Sequence, residues 1–273
     1  MVAAVIVIVM LAAALPPRPT RADETSDSLA AANEAYARHD YIAALKLLRP
    51  LAMAGNAKAQ NDLGVIYANG EGVTRDYPEA LGWYRKAAAQ GNVDAENNLG
   101  FMYAKGRGVP RDDAEAVRWY RKAAERGDAT AENNLGIKYE TGEGVGKNAA
   151  EAVRWYRKAA EQGYADAQSN LGSMYADGEG VAVSAAEALG WYRKAAEQGN
   201  ATAQANLGLM YLDGQGLPED DVEAYKWLSL AVAAGNAPAA KQLDSLEQTL
   251  TAAELAEARQ RVAAWHPAGA PAK

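Results

Sequence analysis

Apolar and polar positions along this chain repeat in blocks of 36 residues. Leu-Gly recurs without slippage at Leu63-Gly64, Leu99-Gly100, Leu135-Gly136, Leu171-Gly172 and Leu207-Gly208. In the block from Asn56 to Gly91, Ala59, Leu63, Ile66 and Tyr67 share one face at helical spacing and predict a helix ending near Asn69. Gly70 ends it, because glycine tolerates the left-handed conformation just past a helix end. A second helix carries Ala80, Trp83, Tyr84, Ala87 and Ala88 and ends at Gly91. Each block is therefore a helix–loop–helix hairpin. A fixed period of this length predicts an all-α, right-handed superhelical α/α solenoid, in which each hairpin buries its apolar face only against its neighbours.

The helix starts are written into the same period. Asn56, Asn92, Asp128, Asn200 and Asn236 suit the N-cap of each first helix, with Tyr164 as the exception. Asp76/Glu79, Asp112/Glu115, Asn148/Glu151, Ser184/Glu187 and Asp220/Glu223 predict a reciprocal capping box on each second helix. Twenty of the 25 glycines fall in four repeated columns, so glycine here belongs to the architecture. A glycine inside the first helix costs about 1 kcal/mol against alanine. Its recurrence after every Leu predicts a neighbouring helix passing close by.

Leu-Gly-x-x-Tyr in the first helix and Trp-Tyr-x-Lys-Ala-Ala in the second resemble the Sel1-like repeat family, a relative of the tetratricopeptide repeat. The resemblance covers Asn56 to Gly235. Two departures are local: Lys138 stands where an apolar residue precedes Tyr, and the fifth block reads Trp227-Leu228-Ser229-Leu230. The expected organisation is a signal peptide over 1–22, a degenerate tetratricopeptide-like hairpin over 23–55, repeats over 56–91, 92–127, 128–163, 164–199 and 200–235, capping helices over 236–266 and a disordered tail over 267–273. Pro50 is expected to interrupt and bend the second helix of the first hairpin.

Composition narrows the chemistry. Val2–Leu15 is apolar throughout, but as a helix it spans about 21 Å against a hydrocarbon core of about 30 Å. Thr20-Arg21-Ala22 before Asp23 reads as a secretory cleavage site, with retention of the segment as an anchor as the alternative. The net charge of −7 becomes −9 after cleavage, when 26 basic side chains face 35 acidic ones. No basic patch is interleaved with aromatics, which argues against a nucleic-acid ligand. The chain has no Cys, so disulfides and thiolate metal sites are excluded. His39 and His266 are the only histidines and do not share metal-ligand spacing. No cofactor, no metal and no catalytic residue is expected. No Ser is followed by Lys at the spacing of penicillin-binding enzymes.

The candidate binding site is the groove that the tetratricopeptide resemblance assigns to the first helices. The residue before each Leu-Gly is Asp62, Asn98, Asn134, Asn170 or Asn206; the one before that is Asn61, Asn97, Asn133, Ser169 or Ala205. Such a ladder of amides can pair with the backbone of an extended peptide, since each Asn is both donor and acceptor. The alternative is that it bonds to adjacent helices. Phe101, Lys138 and Glu140 add specificity, with Phe101 as an apolar anchor, and the groove turns acidic towards Asp177 and Asp213. A second candidate is the stripe of Arg85-Lys86, Arg121-Lys122, Arg157-Lys158 and Arg193-Lys194, which could meet an acidic partner or merely solvate an outer face. The expected function is a non-enzymatic, monomeric protein-interaction scaffold of the bacterial envelope, periplasmic or secreted, that binds another protein or an extended peptide. A cell-wall-acting hydrolase or binding protein and a self-assembling structural rod are the alternatives.

Overall fold

The computed structural model describes residues 21–267, and every regular element among them is a helix. The signal segment before Arg21 and the tail beyond Pro267 lie outside the described residues. The first hairpin is α1 (Arg21–Ala37) and α2 (Tyr41–Met53). Five pairs follow: α3 (Ala57–Asn69) with α4 (Tyr77–Ala89), α5 (Val93–Lys105) with α6 (Asp113–Ala124), α7 (Ala129–Thr141) with α8 (Ala149–Glu161), α9 (Ala165–Asp177) with α10 (Ala185–Glu197), and α11 (Ala201–Asp213) with α12 (Asp221–Ala233). α13 (Ala239–Glu247) and α14 (Ala252–Ala264) close the stack. From α1 to α12 each helix packs mainly on its predecessor and successor, which is the wiring of a solenoid, and α13 and α14 both pack on α12. α1 begins at Arg21, so the proposed cleavage position at Ala22 falls in its first turn. α2 runs through Pro50 to Met53, so the proline does not interrupt it.

Close approach explains the Leu-Gly column. Leu63, Leu99, Leu135, Leu171 and Leu207 are buried in the core. The next residue meets the Tyr ring of its own second helix: a Cβ on Gly136 would lie 2.6 Å from Tyr156 Cε1. Tyr84, Tyr120 and Tyr192 fill the same place in three other repeats, and Leu228 fills it in the fifth. The loop glycine eight residues on is equally constrained. Gly144 has φ 73°, and a Cβ there would meet Asp113 O of the preceding repeat.

Caps follow the sequence with one correction. The side chains of Asn56, Asn92, Asp128 and Asn200 accept from the backbone three residues on, and Tyr164 makes no such bond. On the second helices, Asp76, Asp112, Asn148, Ser184 and Asp220 each accept from the Glu N–H three residues on. The return half of the box is absent there. The N–H of each of those five caps already donates to the carbonyl of the first helix's Tyr: Tyr67, Tyr103, Tyr139, Tyr175 and Tyr211. The freed carboxylates turn elsewhere. Glu79 accepts from Trp83 Nε1 (2.8 Å) and Glu223 from Trp227 Nε1 (3.0 Å). Only α14, which no such Tyr carbonyl precedes, has a complete box, between Thr251 and Glu254.

The basic stripe is largely used by the stack. Arg49, Arg85, Arg121, Arg157 and Arg193 each donate to the Tyr hydroxyl 18 residues on, at 2.7–3.3 Å. Lys86, Lys122, Lys158 and Lys194 lie 4.0–5.2 Å from the Trp ring centroid three residues back. Each such contact contributes about 0.5–1 kcal/mol at an exposed site.

Candidate functional site

The amides before Leu-Gly are joined across repeats. Asn98 Nδ2 donates to Asn61 Oδ1 (3.0 Å), Asn134 to Asn97 (3.1 Å) and Asn170 to Asn133 (3.0 Å). Each rung spans 37 residues and binds successive first helices directly, so α3, α5, α7 and α9 stand side by side. Asn61 and Asn133 are buried, where an amide carbonyl needs a donor. Of the two readings of the ladder, adjacent helices occupy these three rungs. Asp62 ends the series: Asn61 Nδ2 donates to it (3.3 Å), and burial pushes its carboxyl up against the pull of Lys58 at 3.5 Å.

The fourth rung is missing. The acceptor column holds Ser169, and Asn206 turns instead to the Tyr192 hydroxyl, which also donates to Ser173 Oγ (3.0 Å). Beside it lies a cavity of about 460 Å³ formed by α9, α10, α11 and their loops. Asp177, Asn206, Leu209 and Asp213 line it together with Tyr192 and Val183. Three of the residues expected in the groove, Asp177, Asn206 and Asp213, thus converge on one opening. A further hollow of about 340 Å³ shares Asn206 and Leu209 and continues towards Asn236 and Gln242. At the other end, Asp62 and Val65 line a smaller one of about 120 Å³ with Tyr36, whose hydroxyl burial and Glu71 push up to about 12.

The remaining expected residues are placed differently. Lys138 is 7 % exposed and does not line an open groove: its Nζ meets Asp113 Oδ1 (2.7 Å) and Glu143 Oε2 (2.6 Å). Its column otherwise holds Ile66, Met102, Met174 and Met210, all buried. Glu140 accepts a hydrogen bond from the Tyr156 hydroxyl, and burial together with that carboxylate raises the Tyr156 pKa. Phe101 is exposed on the first-helix face but covered by Arg107, whose guanidinium lies 4.9 Å from its ring centroid and 5.4 Å from that of Tyr77. His39, at φ 60°, pairs with the Tyr41 hydroxyl (2.8 Å). Among the described residues no three or more His, Asp or Glu side chains group as a metal site.

Two columns escaped the sequence reading. Gln60, Glu96, Glu132, Gln168 and Gln204 are buried, and a residue 30 positions on satisfies four of them. Gln90 donates to Gln60 (2.8 Å), Arg126 to Glu96 (3.4 Å), Gln162 to Glu132 (2.7 Å) and Gln198 to Gln168 (2.8 Å). Burial pushes the Glu132 carboxyl up. Ala234 stands at the fifth donor position, and Gln204 Oε1 has no partner. Val183, on the cavity rim, is the second omission; comparing its column across the five repeats would have exposed it.

Fourteen helices among the described residues, stacked in consecutive pairs, define an all-α helical-repeat solenoid. The Sel1 repeat model matches residues 57–92, 93–128, 129–164, 165–200 and 201–236, and the chain belongs to the Sel1 repeat family. A Sel1 repeat protein from Oxalobacter formigenes is 35 % identical; the match covers 90 % of this chain and 99 % of that one, with a TM-score of 0.76. c5321, a protective antigen present in uropathogenic Escherichia coli strains and displaying an SLR fold, is 31 % identical over 89 % of this chain and 61 % of its own, with a TM-score of 0.58. A Sel1 repeat protein from Klebsiella pneumoniae is 25 % identical over 73 % of this chain and 97 % of its own, with a TM-score of 0.50. Comparison with curated proteins finds no match. Sel1 repeat proteins are generally protein-interaction scaffolds. No helix among the described residues is long and apolar enough to cross a membrane.

Proposed function

We propose that this protein is a non-enzymatic scaffold of the bacterial envelope that holds an extended segment of a partner protein against its first helices. One observation carries the reading. Arg85 and its equivalents are tied to tyrosine hydroxyls and the lysines beside them to tryptophan rings, whereas Asn206, Leu209 and their neighbours border open cavities on the first-helix face. Burying part of a partner there removes apolar surface from water at about 25 cal/mol per Å². The side-chain amide supplies direction, since Asn offers one carbonyl and two N–H donors. The apolar Val2–Leu15 segment and the Ala22 site support export, and the bacterial relatives support the setting.

The test is selection of binding peptides from a random displayed library on the purified protein, followed by affinity measurement on two variants. Leu209→Arg should weaken the selected peptides at least about tenfold, the equivalent of 1.4 kcal/mol. Lys158→Glu, on the outer face, should leave them unchanged. Peptides that respond to Lys158→Glu and ignore Leu209→Arg would contradict the reading.

A further inference from the structure

Six residues beyond the end of each first helix lies a column with an abrupt change. It holds Arg75, Arg111 and Lys147 after α3, α5 and α7, then Val183 and Glu219 after α9 and α11. Arg75 folds back over its helix end, and Arg111 reaches Asp113 (2.7 Å) and Glu143 (3.3 Å). Arg75 Nη2 donates to the carbonyl of Asn69, the last residue of α3 (3.4 Å). A cation there complements the negative end of the helix dipole.

α9 and α11 break that rule. Both end in an acid, Asp177 and Asp213, and neither has a basic residue in its last turn. An anion at a helix C-terminus is unfavourable, and the loops that follow add Glu179 and Glu219 with no base. Asp177 and Asp213 make no ion pair among the described residues; Asp213 accepts from Gln215 Nε2 at 3.4 Å. Val183 is 68 % exposed and too short to cover the opening. A local rule broken without internal compensation is a mark of a functional site.

The cavity of about 460 Å³ sits where the cation is missing. Ala176, Ala188 and Leu209 give it an apolar lining, Tyr192 and Asn206 a polar wall, and Asp177 and Asp213 an acidic mouth. We propose that this cavity receives a lysine or arginine side chain of the bound partner, with the alkyl stem over Ala176 and Leu209 and the cationic head at Asp177 and Asp213. The partner thereby brings to repeats four and five the positive charge that Arg75, Arg111 and Lys147 carry in the same column of the first three. Lys and Arg suit such a site because they bury an apolar stem while keeping the charge at the rim. This deepens the scaffold reading and rests on it.

The test is a nitrogen-15 NMR titration of the protein with Nα-acetyl-lysine N-methylamide and with the matching norleucine compound, which has the stem without the charge. The lysine compound should move the Asn206 side-chain amide and backbone signals of α9 to α11, and bind at least about fivefold tighter than norleucine. Val183→Arg restores the arrangement of the first three repeats and should abolish the shifts without lowering the melting temperature. Should that variant fail to fold, Asp177→Asn/Asp213→Asn removes the charge at constant shape and should make the two compounds equivalent. Equal binding of both compounds to the unaltered protein, or lysine binding that survives the variants, overturns the proposal. If the lysine compound fails while library peptides still respond to Leu209→Arg, the cation site is wrong and the scaffold reading stands.

Discussion

Repeats one to three and repeats four and five share a backbone plan but differ in what they leave open. In the first three, an amide rung leads from each first helix to the next, and a basic residue follows each first helix. From the fourth repeat on, Ser169 ends the rungs, Val183 and Glu219 end the cations, and a cavity appears between α9 and α11. The same column therefore does two jobs. Asn98, Asn134 and Asn170 hold the stack together, whereas Asn206 stands at a wall that a ligand can reach.

The largest effect expected from breaking this comparison lies in the shared plan. Gly136→Ala would push a Cβ to 2.6 Å from the buried Tyr156 ring. Overpacking of this kind costs about 1–3 kcal/mol or more, to be read from the denaturation midpoint. Gly190→Ala is the control: nothing lies within 4 Å of its Cβ, so the better helix former should stabilise by about 1 kcal/mol.

Next comes Lys138, the departure confined to repeat three. Burial raises the Asp113 carboxyl, but hydrogen bonds from Lys138 and Arg111 outweigh it and hold the group below its usual value. The Lys138 hydrogen bond likewise lowers Glu143. A carboxylate depressed in the folded state stabilises it fully above the ordinary value of about 4, and that contribution is lost as pH falls through the depressed value. Lys138→Met removes one partner only and leaves the Asp113 and Glu143 carboxylates to Arg111, so it should lower the melting temperature at pH 7. Between pH 5 and pH 3, on the order of the carboxylate range, its melting temperature should fall less steeply. An equal or steeper fall would show that the pair contributes nothing.

The smallest change sharpens the boundary itself. Ser169→Asn should supply the missing acceptor for Asn206 and stabilise by about 1 kcal/mol, the net worth of one hydrogen bond. It should also draw Asn206 from Tyr192 and weaken the lysine compound. A variant that gains no stability and binds unchanged would show that the rung is not what separates the two regions.

The plan was legible in the sequence because it is local. Leu-Gly, the N-caps and the helix ends recur every 36 residues, and each depends on neighbours within its own hairpin. What crosses between repeats was not. The direction of the Asn rungs depends on how α5 lies on α3. Within a hairpin, the open capping boxes were hidden too, because they depend on the loop bringing the Tyr67 and Tyr103 carbonyls to the cap N–H groups. Lys138 was assigned to the groove by its charge, although its column of Ile66, Met102, Met174 and Met210 marks a buried position. Asp177, Asn206 and Asp213 line one cavity. The absence that opens it, Val183 in a basic column, is visible only when the five repeats are aligned by position.

The central claim is that Asn98, Asn134 and Asn170 tie neighbouring first helices together and that Asn206 ties none. The most direct measurement compares the chemical-denaturation free energies of Asn170→Ala and Asn206→Ala. Asn170→Ala leaves the buried Asn133 Oδ1 without its donor and should lose about 1–3 kcal/mol. Asn206→Ala breaks no rung and should stay within about 0.5 kcal/mol of the unaltered protein. Equal losses from the two substitutions would contradict the account.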